Sequence, residues 1–192
     1  MATKPGERKT QILQTLAEML EQPHAARVTT AALAARMQVS EAALYRHFAS
    51  KAQMFEGLIG FIETTVFTLI NQIYDSQTRG VDQARQMVTM LLAFAERNRG
   101  MTRVLTGDAL VTEDNRLQTR INHINDRLET SLRQALRNAV VDGGLSPDTD
   151  INARACLLTH FVLGRWLRYA QSGWQKSPTQ ELNAQLDCVL AR

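Results

Sequence analysis

With 192 residues, the chain can bury a substantial core, either as one large domain or as a small domain attached to a larger one. Its 44% hydrophobic content is that of a globular protein. It has no run of about 18 apolar residues to span a bilayer, and the opening MATKPGERK lacks the apolar core of a secretion signal, so a cytoplasmic location without a membrane partner is expected. The net charge of +3 is unevenly placed: seven Lys and Arg stand against four Asp and Glu up to Lys51, and the signs balance in the remainder, which points to a phosphate-binding N-terminal segment.

In chain order, Thr3 to Arg8 reads as a polar basic arm. Ile12, Leu13, Leu16, Ala17 and Leu20 then recur at helical spacing between about Glu7 and Glu21. Gln22 to Arg27, with Pro23, reads as a loop. The stretch Val28 to Lys51 predicts two short helices around a tight turn. The first is capped by the Thr30 hydroxyl and runs to Gln38 through small residues that allow close packing. Ser40 caps the second, Glu41 suits its positive start, and Leu44 and Phe48 share one face. Ala42, Ala43, Tyr45, Arg46 and His47 occupy the other faces. The alanines let a backbone approach a surface, while Tyr, Arg and His offer donors to phosphates or base edges. Ser50 to Gln53 is a capping box that opens a third helix, with Lys51 beside its free N–H groups. Should the Gln38 turn be left-handed, a residue with a side chain there costs on the order of 1 kcal/mol.

The third helix is expected to reach Asp75 on a stripe of Phe55, Leu58, Ile62, Val66, Leu69 and Ile73, a connecting element close to 37 Å long at about 1.5 Å per residue. Val81 to Asn98 is nearly apolar all round in its second half and is expected at the centre of the core, with Gly100 as its stop. A short helix fits between Gly100 and Gly107. Leu117, Ile121, Ile124, Leu128, Leu132, Leu136 and Val140 mark a long helix from about Asp114 to Gly143-Gly144. Asp150 caps another through Tyr169, and Ser177-Pro178-Thr179-Gln180 reads as the start of the last. Nothing alternates as a strand. The fold class is all-α, about nine helices, divided into a helix-turn-helix over residues 1–51 and a larger helical domain over 52–192.

No catalytic pattern emerges. His24, His47, His123 and His160 are scattered, and there is no HExxH, nucleophile elbow or glycine-rich phosphate loop, so neither an enzyme nor a metal or cofactor site is expected. Cys156 and Cys188 have no partner at metal-ligand spacing and read as buried reduced thiols.

The stretch TTAALAARMQVSEAALYRHFASK resembles the N-terminal motif of the TetR family, with its Val-Ser turn, Tyr-x-His-Phe at the end of the recognition helix, and Ser-Lys opening the next. The resemblance implies a dimer that reads palindromic double-stranded DNA through Thr29, Thr30, Arg36, Ser40, Ala42, Ala43, Tyr45, Arg46, His47 and Lys51. Leu157 to Tyr169 and the closing helix are the candidates for pairing two subunits. MFEGLIGFIE, ERNRGMTRVLTGDAL and NRLQTRIN further resemble the nucleoid occlusion members of that family. These imply a nucleoid-associated homodimer that inhibits the division protein FtsZ, meeting it through Phe61, Arg97 and Asn98 in a groove between the long helix and the one ending at Asn98. An apolar anchor beside Arg97, Arg99 and Arg103 would suit an acidic, partly hydrophobic tail. The alternative is a repressor released by a small ligand near His160, Arg165 and Arg168.

Overall fold

The computed structural model describes residues 5–22, 28–111 and 113–191, and the described chain contains nine α-helices, a short 3-10 turn at Asp108–Leu110 and no strand. Thr3, Lys4 and most of the expected Gln22–Arg27 loop lie outside those residues. The rest of the expected arm is helical, because α1 spans Pro5–Leu20. By packing, the chain forms two units: one from the described residues of Met1–Ile62 and Asn98–Ile121, the other from those of Glu63–Arg97 and Asn122–Arg192.

The first unit gathers α1, α2 (Thr30–Arg36), α3 (Glu41–Tyr45), the start of α4 (Lys51–Ser76), α6 (Arg99–Leu105) and the start of α7 (Asn115–Val141). Ile12, Leu16, Leu33, Leu44, Met54, Phe55 and Leu58 are buried together in its core. Gly100 was expected to stop the preceding helix. Instead that helix, α5 (Gly80–Arg97), ends by itself, and Gly100 sits inside α6, where a β-carbon would lie 1.8 Å from the Ala17 carbonyl oxygen of α1. The glycine is needed for backbone contact between two helices, a demand that spacing along one helix does not reveal. Arg103 reinforces the same seam: it pairs with Asp108 at 2.6 Å and donates to the Leu20 and Gln22 carbonyls, leaving 13% of its side chain exposed.

In the second unit the remainder of α4 packs with α5, α8 (Ile151–Gln171) and α9 (Leu182–Leu190) and the rest of α7. Trp166 is fully buried and its indole N–H donates to the Leu91 carbonyl at 3.1 Å, while Asn138 and Gln83 satisfy each other at 2.8 Å. On α4, which is long and apolar enough to cross a membrane by length and composition, Ile70 is buried where Leu69 was expected, and Phe55, Leu58, Ile62, Val66 and Ile73 are buried as expected. Asp150 caps α8 by accepting the Ala153 N–H at 2.9 Å.

Two expectations fail here. Ser177 does not open the last helix. Its hydroxyl donates to Glu96 at 2.5 Å, Thr179 donates to the same oxygen at 2.9 Å, and this ties residues 177–181 into turns, so that α9 starts only at Leu182 behind a left-handed Glu181. The Ser177 oxygen still accepts the Thr179 N–H at 3.2 Å, but Glu96 of α5 anchors both hydroxyls and the chain turns again before α9, which no local pattern shows. Cys156 and Cys188 are reduced but exposed, because each lies on the outer side of an amphipathic helix whose buried side is filled by Leu158, Val162 and Trp166 or by Leu182, Leu186 and Leu190.

Gly100→Ala should lower stability by about 3 kcal/mol, since a rigid carbonyl cannot yield as a side chain would; denaturant unfolding measures this. Asp142 accepts the Gly80 N–H at 2.6 Å and the Gly144 N–H at 2.9 Å, and these bonds, led by that of Gly80, hold its pKa below the ordinary value of 3.8. Its contribution is therefore complete above pH 3.8 and disappears as pH falls through the lower folded-state pKa. The expected outcome is that the stability gap between the parent and Asp142→Asn narrows on acidification through that range, measured by thermal unfolding.

Candidate nucleic-acid interface

The helices of the expected helix-turn-helix, α2 and α3, are short, so side-chain caps and the turn between them carry the geometry. Thr29, one residue before the expected Thr30, caps α2 by accepting the Ala32 N–H at 3.1 Å. This frees Thr30, whose hydroxyl donates to Glu41 at 2.6 Å and accepts from Tyr45 at 3.4 Å. Ser40 caps α3 as expected, accepting the Ala43 N–H at 3.2 Å. Between the helices Gln38 is left-handed with φ 55°, the costlier of the two conformations considered, and the Val39 N–H returns to the Ala34 carbonyl at 3.0 Å. Leu33, Ala34, Leu44 and Phe48 are buried and hold α2 on α3.

What remains outward matches a surface that can lie against a polyanion. Thr29, Arg36, Ser40, Ala42, Tyr45 and Arg46 are exposed, and Thr30, Ala43 and His47 are half-buried. Tyr45 is 44% exposed, and its long bond to Thr30 is weak enough to exchange for a phosphate oxygen. Arg36 has a loose partner, Glu18 at 3.9 Å, with both side chains about half exposed. Lys51 differs from its neighbours. Its ammonium meets Glu113 at 2.5 Å and lies 5.6 Å from the centre of the Phe55 ring, and only 20% of its side chain is exposed. The lysine placed by its capping box is thus already engaged inside the first unit, and any phosphate must share it. Half of the expected box forms: the Gln53 N–H donates to Ser50 at 3.1 Å, while the Gln53 side chain accepts the N–H of Ala49, one residue before the cap, at 2.9 Å.

The residues expected to meet a protein are brought together in part. Phe61, 47% exposed, and Asn98 line one groove of about 350 Å³ between α1, α4 and α6. The wall supplied by α1, with Leu13, Gln14, Glu18 and Glu21, was not anticipated, since nothing in the N-terminal helix alone marks it as part of a groove. Arg97 is exposed at the last residue of α5 and belongs to the second unit. Arg99 is exposed, whereas Arg103 is spent on Asp108 and two carbonyls and cannot join a cationic trio. On α8, His160 bonds the Cys156 carbonyl at 2.8 Å, Arg165 bonds Gln185 and Arg168 is exposed, so the three do not enclose a ligand.

Residues 12–58 match the family described as bacterial regulatory proteins, tetR family, and residues 79–192 match the tetracyclin repressor-like C-terminal domain of SlmA-like type. The nucleoid occlusion factor SlmA of Marinomonas sp. (strain MWYL1) is 47% identical over 94% of this chain and 91% of its own. That of Vibrio cholerae is 50% identical over 90% and 88%. Among solved structures, the fatty acid degradation regulator FadR from Bacillus halodurans superposes with a TM-score of 0.78 at 13% identity, covering 95% of this chain and 97% of that one, a likeness of fold.

Lys51 is paired with Glu113 inside the first unit, whereas Arg46 is exposed, so substitutions at the two are expected to differ. Arg46→Ala should weaken binding to all duplexes and flatten its salt dependence by about one counterion without altering stability. Lys51→Ala should also lose on the order of 1–3 kcal/mol of stability by leaving Glu113 without its ammonium. Anisotropy titrations across salt, paired with denaturant unfolding, distinguish the two.

Proposed function

The chain belongs to the TetR family of bacterial regulatory proteins, and from that membership we propose that it acts as a nucleoid occlusion factor, binding palindromic chromosomal sites as a dimer and inhibiting FtsZ assembly over the nucleoid. It is a DNA-binding regulator and not an enzyme. The observation that carries the reading is likeness at 44–50% identity to factors of that name across about nine-tenths of both chains, through the C-terminal helices as well as the shared DNA motif.

The division of labour is as follows. Residues 1–51 read DNA through Thr29, Thr30, Arg36, Ser40, Ala42, Ala43, Tyr45, Arg46, His47 and Lys51; residues 52–192 pair subunits and meet the division protein. Pairing is supported by the outer side of α8, where Leu157 is 55% and Leu167 42% exposed and a β-carbon on Gly164 would meet open space. Two such helices, each with α9, make a four-helix interface, and a two-fold pair places two recognition helices on successive half-sites. Contact with FtsZ uses Phe61, Arg97 and Asn98, none of which belongs to the DNA-facing set.

Arg97→Glu should therefore leave operator affinity within about twofold of the parent while abolishing inhibition of FtsZ assembly in light scattering; equal loss of DNA binding would refute the separation. Chromosome-wide mapping of bound sites should find dozens dispersed over the chromosome. One or two sites beside a promoter would instead support a repressor released by a small molecule.

A further inference from the structure

The outer side of α8 carries two groups that neither the helix-turn-helix nor the groove beside Phe61 uses. Cys156 and His160 stand one helical turn apart, both exposed, with Cys156 Sγ 3.4 Å from His160 Nδ1. His160 is thus a ligand partner for Cys156 that spacing alone did not mark, because one turn of helix supplies two donors, too few to close a site. The imidazole is already oriented. Its Nδ1 lies 2.8 Å from the Cys156 carbonyl oxygen, which can only accept, so Nδ1 carries the proton and Nε2 keeps its lone pair. A carbonyl that fixes the tautomer in this way is the usual support of a metal-binding histidine. Of the nearby cations, Arg154 donates to the Ala191 carbonyl at 2.9 Å and Arg165 to Gln185, so both guanidiniums are engaged at α9.

Two thiolates and two imidazoles make a tetrahedral set for a divalent ion of borderline softness. Among the described residues, no three His, Cys, Asp or Glu of one chain gather to hold a metal. A second copy supplies what is missing. Ala153, Cys156 and Gly164 flank His160 on the same exposed strip of α8, and a β-carbon at Gly164 would meet nothing within 4 Å. The strip is therefore lowest around His160, where a crossing helix on ridges four residues apart comes closest.

We propose that two subunits bind one Zn²⁺ between them through Cys156 Sγ and His160 Nε2 of each, with the two-fold axis crossing α8 near His160. The inference rests on the reading that α8 pairs subunits, and it adds a metal that this interface takes. On binding, each Cys156 thiol releases its proton to solvent, and the four protein donors replace the water around the ion. Only the paired state offers all four. Zinc therefore tightens the dimer, and pairing tightens zinc by the same factor.

The test uses the purified full chain, kept reduced, with Zn²⁺ and with Co²⁺ as its spectroscopic stand-in. Titration with Co²⁺ should end at one metal per two chains, giving the intense visible bands of a tetrahedral ion and a thiolate-to-metal charge-transfer band. Zn²⁺ should bleach both. Cys156→Ser should abolish the charge-transfer band and His160→Ala should weaken Zn²⁺ binding at least about tenfold, whereas Cys188→Ser should change neither. Exchange of subunits between two dye-labelled preparations should slow at least about tenfold on saturation with Zn²⁺ in the parent and be indifferent to it in Cys156→Ser. One metal per chain, no charge-transfer band, a band that survives Cys156→Ser or is lost in Cys188→Ser, or exchange unmoved by zinc overturns the inference. Both ligands are exposed, so these variants keep the fold; unfolding midpoints are measured alongside, and Cys156→Ala repeats the thiol test. The pairing reading fails separately. A chain that sediments as a monomer, or a dimer unmoved by joint Leu157→Glu and Leu167→Glu, defeats both readings; a dimer that those substitutions break but that takes no zinc defeats only the present one.

Discussion

Contact between α1 and α6 at Gly100 is the constraint on which the first unit depends. A carbonyl oxygen of Ala17 occupies the space a β-carbon would need, so the two helices meet backbone to backbone, and Arg103 ties the end of α1 to the corner after α6. That seating brings α1 beside α4 and α6 to create the groove, and it presents the other side of α1 to α2. Both candidate surfaces therefore share one structural support.

The interface for DNA illustrates how short elements are fixed by polar chemistry rather than by burial alone. α2 and α3 contribute seven and five residues, too few for stable isolated helices. Thr29 and Ser40 satisfy their leading N–H groups, Gln38 accepts a left-handed backbone in the turn, and the chain of hydroxyls from Tyr45 through Thr30 to Glu41 joins the two helices across their outer side. The cost of the Gln38 conformation, about 1 kcal/mol, is comparable to what one good cap returns.

Features set by short-range rules were largely legible in the sequence: the helix-turn-helix, the Ser40 and Asp150 caps, the Ser50 acceptor and most of the long apolar stripes stand where residue spacing put them, with Ile70 and Ala139 buried in place of Leu69 and Val140. Features that depend on a distant partner were not. Gly100 looked like a helix stop until Ala17 was placed against it; Ser177 looked like a helix start, but it and Thr179 are anchored to Glu96 and the chain turns again before α9. Lys51 and Arg103 looked available to ligands until Glu113 and Asp108 claimed them, and the wall that α1 gives the groove follows only from how α1 is seated. In each case the local signal was real and a group more than three residues away decided its use.

The first unit is discontinuous along the chain, assembled from the N-terminal stretch and from Asn98–Ile121. Cutting the gene after the third helix begins would not yield an autonomous reading head, since the excised piece would carry Ala17, Leu16 and Leu20 without α6 to cover them. Grafting the DNA specificity of this protein onto another scaffold is accordingly a matter of exchanging surface residues on α2 and α3 within an intact body, not of transplanting an N-terminal module.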